Sequence, residues 1–196
     1  MLWVGITGSI GSGKSTFAQG LRARGYAVID ADEVSHRLLL KNNTAYKKVV
    51  QDFGLGILND VQEIDRKKLG ALVFRNKKLL SQLESILHPL IREEVAQKKA
   101  QWEREGKTIA FYDVPLLFEK NMESLFDEIV LVYAPEALVK ERVQKRSGLT
   151  VEEVHQRLLA QIPIEQKKKR AHYVVDNSQG LEHLNAELDT YLLSKV

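Results

Sequence analysis

The sequence predicts an α/β fold, a doubly wound parallel sheet with helices on both faces, interrupted by a helical insertion. Short runs that are apolar on both faces recur at residues 2–7, 26–29, 108–112, 128–133 and 173–175, the pattern of strands buried in a parallel sheet. Helical patterns separate these runs, and alternating β and α elements imply right-handed crossovers into an open sheet. Between the second and third runs, from about Val34 to Arg104, strand signals nearly vanish and helical spacing takes over.

In chain order, Leu2-Trp3-Val4-Gly5-Ile6-Thr7 reads as a buried first strand, and residues 15–24 as a helix ended by Gly25. Tyr26-Ala27-Val28-Ile29 is a second strand, terminated by Asp30. Inside the insertion, Leu69, Leu72 and Val73, then Leu80, Leu83, Ile86 and Leu87, share helical spacing. Ala134-Pro135 opens a later helix, where proline's missing N–H costs nothing. Thr150 and Glu153 have capping-box spacing. Leu181, Leu184, Leu188, Tyr191 and Leu192 form the stripe of a C-terminal helix expected to face the core.

Composition narrows the function classes. The 196 residues suit one compact domain with a small appendage, and 44% hydrophobic with 28% charged residues is ordinary for a globular chain. Cysteine is absent, which removes disulfides, thiolate metal sites and cysteine nucleophiles and fits a cytoplasmic location. The first apolar run is too short for the core of a signal peptide, and no stretch approaches the ~18 apolar residues of a membrane span. A net charge of +3 suits an anionic small-molecule substrate such as a nucleotide. It is too weak to argue for nucleic acid, whose recognition modules leave no signature here. No obligate protein partner is evident.

The strongest chemical signal is Gly8-Ser9-Ile10-Gly11-Ser12-Gly13-Lys14-Ser15, followed by Thr16, which matches G-x-x-x-x-G-K-[ST] at every fixed position. Glycines let the backbone wrap phosphates, successive N–H groups form an anion nest, and the following helix adds its positive end. Lys14 then reaches the β- and γ-phosphates of ATP, and Ser15 offers a hydroxyl to Mg²⁺. This makes the fold a P-loop NTPase type that binds ATP with Mg²⁺.

Asp30 and Asp32, directly after the second strand, fit two readings. One carboxylate orients or deprotonates an acceptor hydroxyl and touches Mg²⁺ through water; alternatively, the pair is ordinary helix N-cap chemistry. Asp113 closes the third strand, either as a partner of the Mg²⁺ shell or as a turn residue. The loop Val114-Pro115-Leu116-Leu117-Phe118-Glu119 is unusually apolar and reads as a cradle for a flat ligand or as a core plug. Arg142 and Arg146, at i and i+4, either clamp phosphates or belong to a solvated basic face. Lys167-Lys168-Lys169-Arg170 reads mostly as a solvated helix surface. His88-Pro89 alone reads as a turn or helix start. Asp52-Phe53-Gly54 lacks the catalytic-loop partner of a protein kinase.

Taken together these pieces resemble the dephospho-coenzyme A kinase family over nearly the whole chain, from the first strand to Asn177. The resemblance rests on the phosphate-binding motif with Thr7 before it, on Ile29-Asp30-Ala31-Asp32, on Ile64-Asp65-Arg66-Lys67-Lys68-Leu69-Gly70 and Phe74, and on Leu83-Glu84-Ser85-Ile86-Leu87-His88-Pro89. Asp113-Val114-Pro115-Leu116-Leu117-Phe118-Glu119, Arg142, Arg146, Gln161 and Val175-Asp176-Asn177 complete it. Departures are Ala171-His172, where the family often has Ala-Asp, and Ser147, where Asp or Asn often follows the second arginine.

The resemblance implies a nucleotide-binding core (1–33, 105–134, 171–196), a helical acceptor-binding insertion (34–104) and a small helical lid (135–170). It implies transfer of the ATP γ-phosphoryl group to the ribose 3′-hydroxyl of dephospho-CoA, giving CoA and ADP. Asp32 would be the base, Arg142 a lid arginine, and Arg146 and Asn177 nucleotide contacts. His88, Pro89, Asp113, Pro115, Leu116 and Leu117 would line the acceptor site. The alternative is a nucleoside or nucleotide monophosphate kinase, which shares the core and differs in the acceptor wall.

Overall fold

The computed structural model describes residues 1–74 and 76–195, with Phe74 described by its backbone alone, so the Phe74 side chain of the family pattern lies outside the described residues. The elements are β1 (Leu2–Gly8), α1 (Lys14–Ala23), β2 (Ala27–Asp30), α2 (Ala31–Leu38), α3 (Thr44–Phe53), α4 (Arg66–Phe74), α5 (Lys77–Arg104), β3 (Ile109–Asp113) and β4 (Glu128–Tyr133). They continue with α6 (Glu136–Ser147), α7 (Val151–Leu159), α8 (Ile164–Arg170), β5 (Tyr173–Asp176) and α9 (Leu181–Leu193).

The strands form one sheet in the order β2-β3-β1-β4-β5. β1 pairs in parallel with β3 and with β4, and β4 with β5. The chain therefore leaves β1 toward one edge for β2 and later returns to fill the other side. β1 lies at the topological switch point, the place where open α/β sheets bind ligands beyond the strand carboxyl ends.

Contacts divide the chain into two compact units, residues 1–29 with 102–196, and residues 30–101. The segment α6–α8, set apart by the resemblance as a lid, clusters with the sheet unit. One face of the sheet buries Val4, Ile6, Phe111, Val130, Val132 and Val175 against Phe17 and Leu21 of α1 and Leu184, Leu188, Tyr191 and Leu192 of α9. Each such side chain contributes about 1.5–3 kcal/mol on burial. Elsewhere in this unit Trp3 stacks on Phe126, with ring centres 6.5 Å apart. A smaller cluster of Ala134, Val139, Val143 and Val154 joins α6 to α7, with Ile10 packed against it.

In the second unit Val34, Leu38, Ala45, Val49, Ile57, Leu69, Val73, Ile86 and Leu87 are buried. Asp65 caps α4, accepting from the Lys67 and Lys68 amides at 2.9 and 3.2 Å.

Two expectations about these elements need correction. Leu181 is 60% exposed, because it is the first residue of α9 and projects beyond the sheet that its later turns cover. His88-Pro89 neither turns nor starts a helix: Pro89 sits within the 28 residues of α5. Its ring removes the i→i−4 donor to the Ser85 carbonyl, on a turn where Ser85 is exposed.

Candidate active site

The loop from β1 to α1 is shaped by what surrounds its glycines. Gly13 has φ 97°, and a Cβ there would lie 1.9 Å from Asn177 Nδ2. Gly11 has φ 76°, and a Cβ there would meet Val143 Cγ2 at 2.6 Å. Both positions thus need the left-handed conformation and the missing side chain. The Ser12 amide donates to the Ser9 carbonyl at 3.1 Å, closing a tight turn. α1 begins at Lys14; among the described residues no side chain caps it, and its first turn holds no acidic residue. Its first amides and positive dipole end remain for an anion. Ser15 and Thr16 are exposed on that first turn.

Asp113, fully buried at the end of β3, forms an ion pair with Lys14. The strand register explains the meeting, since Asp113 stands opposite Ile6, two residues before the loop begins. The same end of the sheet brings in β5. Asn177 follows β5 directly and is buried; its Nδ2 donates to the Ser12 carbonyl at 2.7 Å. Arg142 Nη2 on α6 donates in turn to the Asn177 carbonyl at 3.0 Å. Its Nη1 is buried without a hydrogen-bond partner among the described residues. Arg142 and Arg146 do not act as an equivalent pair, because Arg142 is half-buried and Arg146 exposed near the end of α6.

After β3 the apolar loop is in large part a core plug. Leu117 and Phe118 are fully buried, and Leu117 packs where a Cβ on Gly5 would otherwise stand, at 2.8 Å. Pro115 is half-buried, its carbonyl accepting from Thr7 Oγ1 at 3.3 Å, while Leu116 is exposed.

The cationic run 167–170 is not simply solvated. Lys167 is completely buried, with Nζ 2.7 Å from Glu119 Oε1. Lys168 lies over the Tyr133 ring at 4.5 Å, and Arg170 lies over Phe118 at 4.7 Å and pairs with Glu123. The sequence signal for Lys167 was its i,i+3 spacing from the buried Ile164, which puts both on one face of α8. Gln161, named by the resemblance without a role, accepts the Ile10 amide on Oε1 at 3.1 Å. Beside it, Ser9, Gln161 and Ile162 share the wall of a cavity of about 240 Å³ with Val139, His155 and Leu158.

Within the second unit, Asp30 is the N-cap of α2, its Oδ1 accepting from the Asp32 and Glu33 amides at 2.7 and 3.1 Å. Asp32 is exposed in the first turn of that helix. The capping reading thus falls on Asp30 and not on Asp32. His88 and Pro89 are exposed on α5, His88 Nε2 standing 4.0 Å from Glu84 Oε1.

The residues present fit a magnesium nucleotide. Such an ion takes oxygen ligands, usually a side chain or two plus phosphates and water; the Ser15 hydroxyl follows Lys14 in sequence, and the Asp113 carboxylate pairs with Lys14 from β3. Among the described residues no helix is long and apolar enough to cross a membrane.

The family model described as dephospho-CoA kinase matches residues 2–183. A dephospho-CoA kinase of Wolinella succinogenes is 44% identical over 187 residues, covering 95% of this chain and 90% of that one. A dephospho-CoA kinase of Carboxydothermus hydrogenoformans is 41% identical over 189 residues, covering 96% and 92%. A crystal structure from Thermus thermophilus superposes with a TM-score of 0.85 at 37% identity, covering 100% of this chain and 98% of that one.

Proposed function

The chain belongs to the dephospho-CoA kinase family, and from that premise we propose that it transfers the γ-phosphoryl group of ATP to the ribose 3′-hydroxyl of dephospho-CoA, giving CoA and ADP in the cytoplasm. The observation that supports phosphoryl transfer most directly is the phosphate loop, with Lys14 held against buried Asp113 and the loop carbonyl of Ser12 held by Asn177.

In this reading the amides of residues 8–16 cradle the phosphates, and Lys14 neutralises charge that grows on the transferred group. Arg142 adds a guanidinium to the same phosphates, its backbone anchor on Asn177 supporting that aim. Arg146 is a weaker nucleotide contact. Asp32 orients the acceptor hydroxyl and takes its proton. Asp30 Oδ1 is committed to the helix cap, whereas Asp32 stands exposed in the first turn of α2. Of the residues assigned to the acceptor, His88, Pro89, Pro115 and Leu116 keep that role in this reading, whereas Leu117, fully buried against Gly5, belongs to the core and Asp113 is buried in its pair with Lys14. Ser15, with Asp32 and Asp113 acting through water, would hold Mg²⁺, which when bound neutralises charge on the β- and γ-oxygens.

The test is ATP consumption against a panel of acceptors: dephospho-CoA, nucleosides and nucleoside monophosphates. Dephospho-CoA should be consumed far faster than the others, with a new 3′-phosphate on the product. Faster turnover of a nucleoside monophosphate would replace this reading with the alternative one.

A further inference from the structure

The connection between α7 and α8 is tied to the phosphate site at several points. The Ile10 amide donates to Gln161 Oε1 at 3.1 Å, and the next residue, Ile162, donates its own amide to Glu119 Oε1 at 2.9 Å. Lys167 Nζ stands 2.7 Å from that same oxygen. Glu119 ends the loop that Asp113 begins, and Asp113 pairs with Lys14. These contacts close a circuit: phosphate loop to Gln161, Ile162 and Lys167 to Glu119, back to Asp113, and from Asp113 to Lys14.

Burying an ammonium is costly, and apolar residues of like volume commonly do as well or better for stability. In some proteins a buried ion pair serves to fix one arrangement among several. Here one lysine of a four-cation run is withdrawn from water while its neighbours stay exposed. Burial pushes its ammonium below the ordinary lysine range; the bond to Glu119 opposes this, and the charges of Arg170 and Lys14 add to it.

We propose that Lys167 is a positioning residue for phosphoryl transfer: its buried ion pair with Glu119 locks the circuit that holds the Ile10 amide and the Lys14 ammonium in transfer geometry. This role rests on the kinase reading of the same site.

The experiment compares the parent with Lys167→Met and with Lys167→Met/Glu119→Gln. The double variant leaves no unpaired buried charge and keeps an acceptor for the Ile162 amide, so it folds even where the single variant does not. Turnover is measured per folded molecule with ATP and dephospho-CoA, and Ile10 amide exchange is followed by NMR without acceptor. The expected result is a kcat loss of roughly 10-fold to 10²-fold, the scale of a small misplacement of reacting groups. Both KM values should stay within about threefold, and the Ile10 amide should exchange faster. Turnover per folded molecule within about twofold of the parent, or an unchanged Ile10 amide, overturns the role. If the parent itself does not phosphorylate dephospho-CoA, the functional reading fails and the Ile10 amide alone decides the role of Lys167.

Discussion

Asn177 and Gly13 occupy complementary space: the Asn177 amide nitrogen sits 1.9 Å from where a Gly13 Cβ would be, and it donates to the neighbouring Ser12 carbonyl at 2.7 Å. The end of β5 is thereby fastened to the middle of the phosphate loop. Gly13→Ala should abolish nucleotide binding, since it combines φ 97° with a collision against a buried side chain. Asn177→Ala removes a buried hydrogen bond and should cost about 1–3 kcal/mol, with a raised KM for ATP. Thermal unfolding and ATP titration of both variants check this. A Gly13→Ala protein that binds ATP like the parent would remove the steric argument.

Lys14→Ala should do two things at once. It takes from the transfer step the cation aimed at the growing charge, so kcat should collapse. It also takes from buried Asp113 its ammonium partner, and breaking a buried pair in this way costs about 3 kcal/mol or more. Turnover must therefore be expressed per folded molecule. Lys14→Ala/Asp113→Asn should recover stability without recovering turnover. A near-normal kcat in the single variant sinks the assignment of the phosphate loop.

His172 explains one departure from the family pattern. Its Nδ1 accepts the Ile129 amide at 3.0 Å while its own amide donates to the Ile129 carbonyl at 3.0 Å. What the position requires is an acceptor for a buried strand N–H, which an aspartate also supplies, just as Asp127 Oδ2 accepts the Trp3 amide at 2.7 Å in β1. His172→Asp should change stability by no more than about 0.5 kcal/mol. His172→Ala should lose about 1–3 kcal/mol, the cost of an unsatisfied buried donor. Urea unfolding separates the two, and equal losses would mean the acceptor is irrelevant.

The fold was legible wherever local sequence decides the outcome. The apolar strand runs, the left-handed glycines of the phosphate loop and the Thr150–Glu153 capping box, which forms with both its hydrogen bonds, depend on near neighbours and match their spacing. What failed depends on distant ones. Lys167 reads as surface until Glu119, far away in sequence, is placed beside it. Pro89 reads as a break until the helix is seen to continue through an exposed turn. Asn177 is marked in the sequence only by the family resemblance, because its hydrogen bond is to a loop at the other end of the chain. Leu117 looked open to a ligand or to the core, and only the bare backbone at Gly5 shows which side chain fills that space.

Asp32→Asn is the sharpest test of the chemistry. The swap keeps size and reach but removes the negative charge and the basic lone pair. The structure removes a confusion that would otherwise spoil the result, because the α2 cap belongs to Asp30, which accepts both the Asp32 and Glu33 amides. Asp32→Asn should therefore leave the helix intact, with a change in unfolding free energy of no more than about 0.5 kcal/mol. Asp30→Ala should instead lose about 1 kcal/mol through the missing cap. If Asp32 orients the 3′-hydroxyl and takes its proton, kcat should fall about 10²–10⁴-fold with both substrates still bound. Phosphoryl transfer has a loose transition state in which proton removal comes late, so the low end of that range is expected. If Asp32 also serves Mg²⁺ through water, the variant should need more metal for half-maximal rate. The measurements are kcat, the dissociation constant of dephospho-CoA and the Mg²⁺ dependence of each protein. Activity within about threefold of the parent, far outside the general-base range, would move the base away from Asp32 and leave Asp113 as the carboxylate to test next.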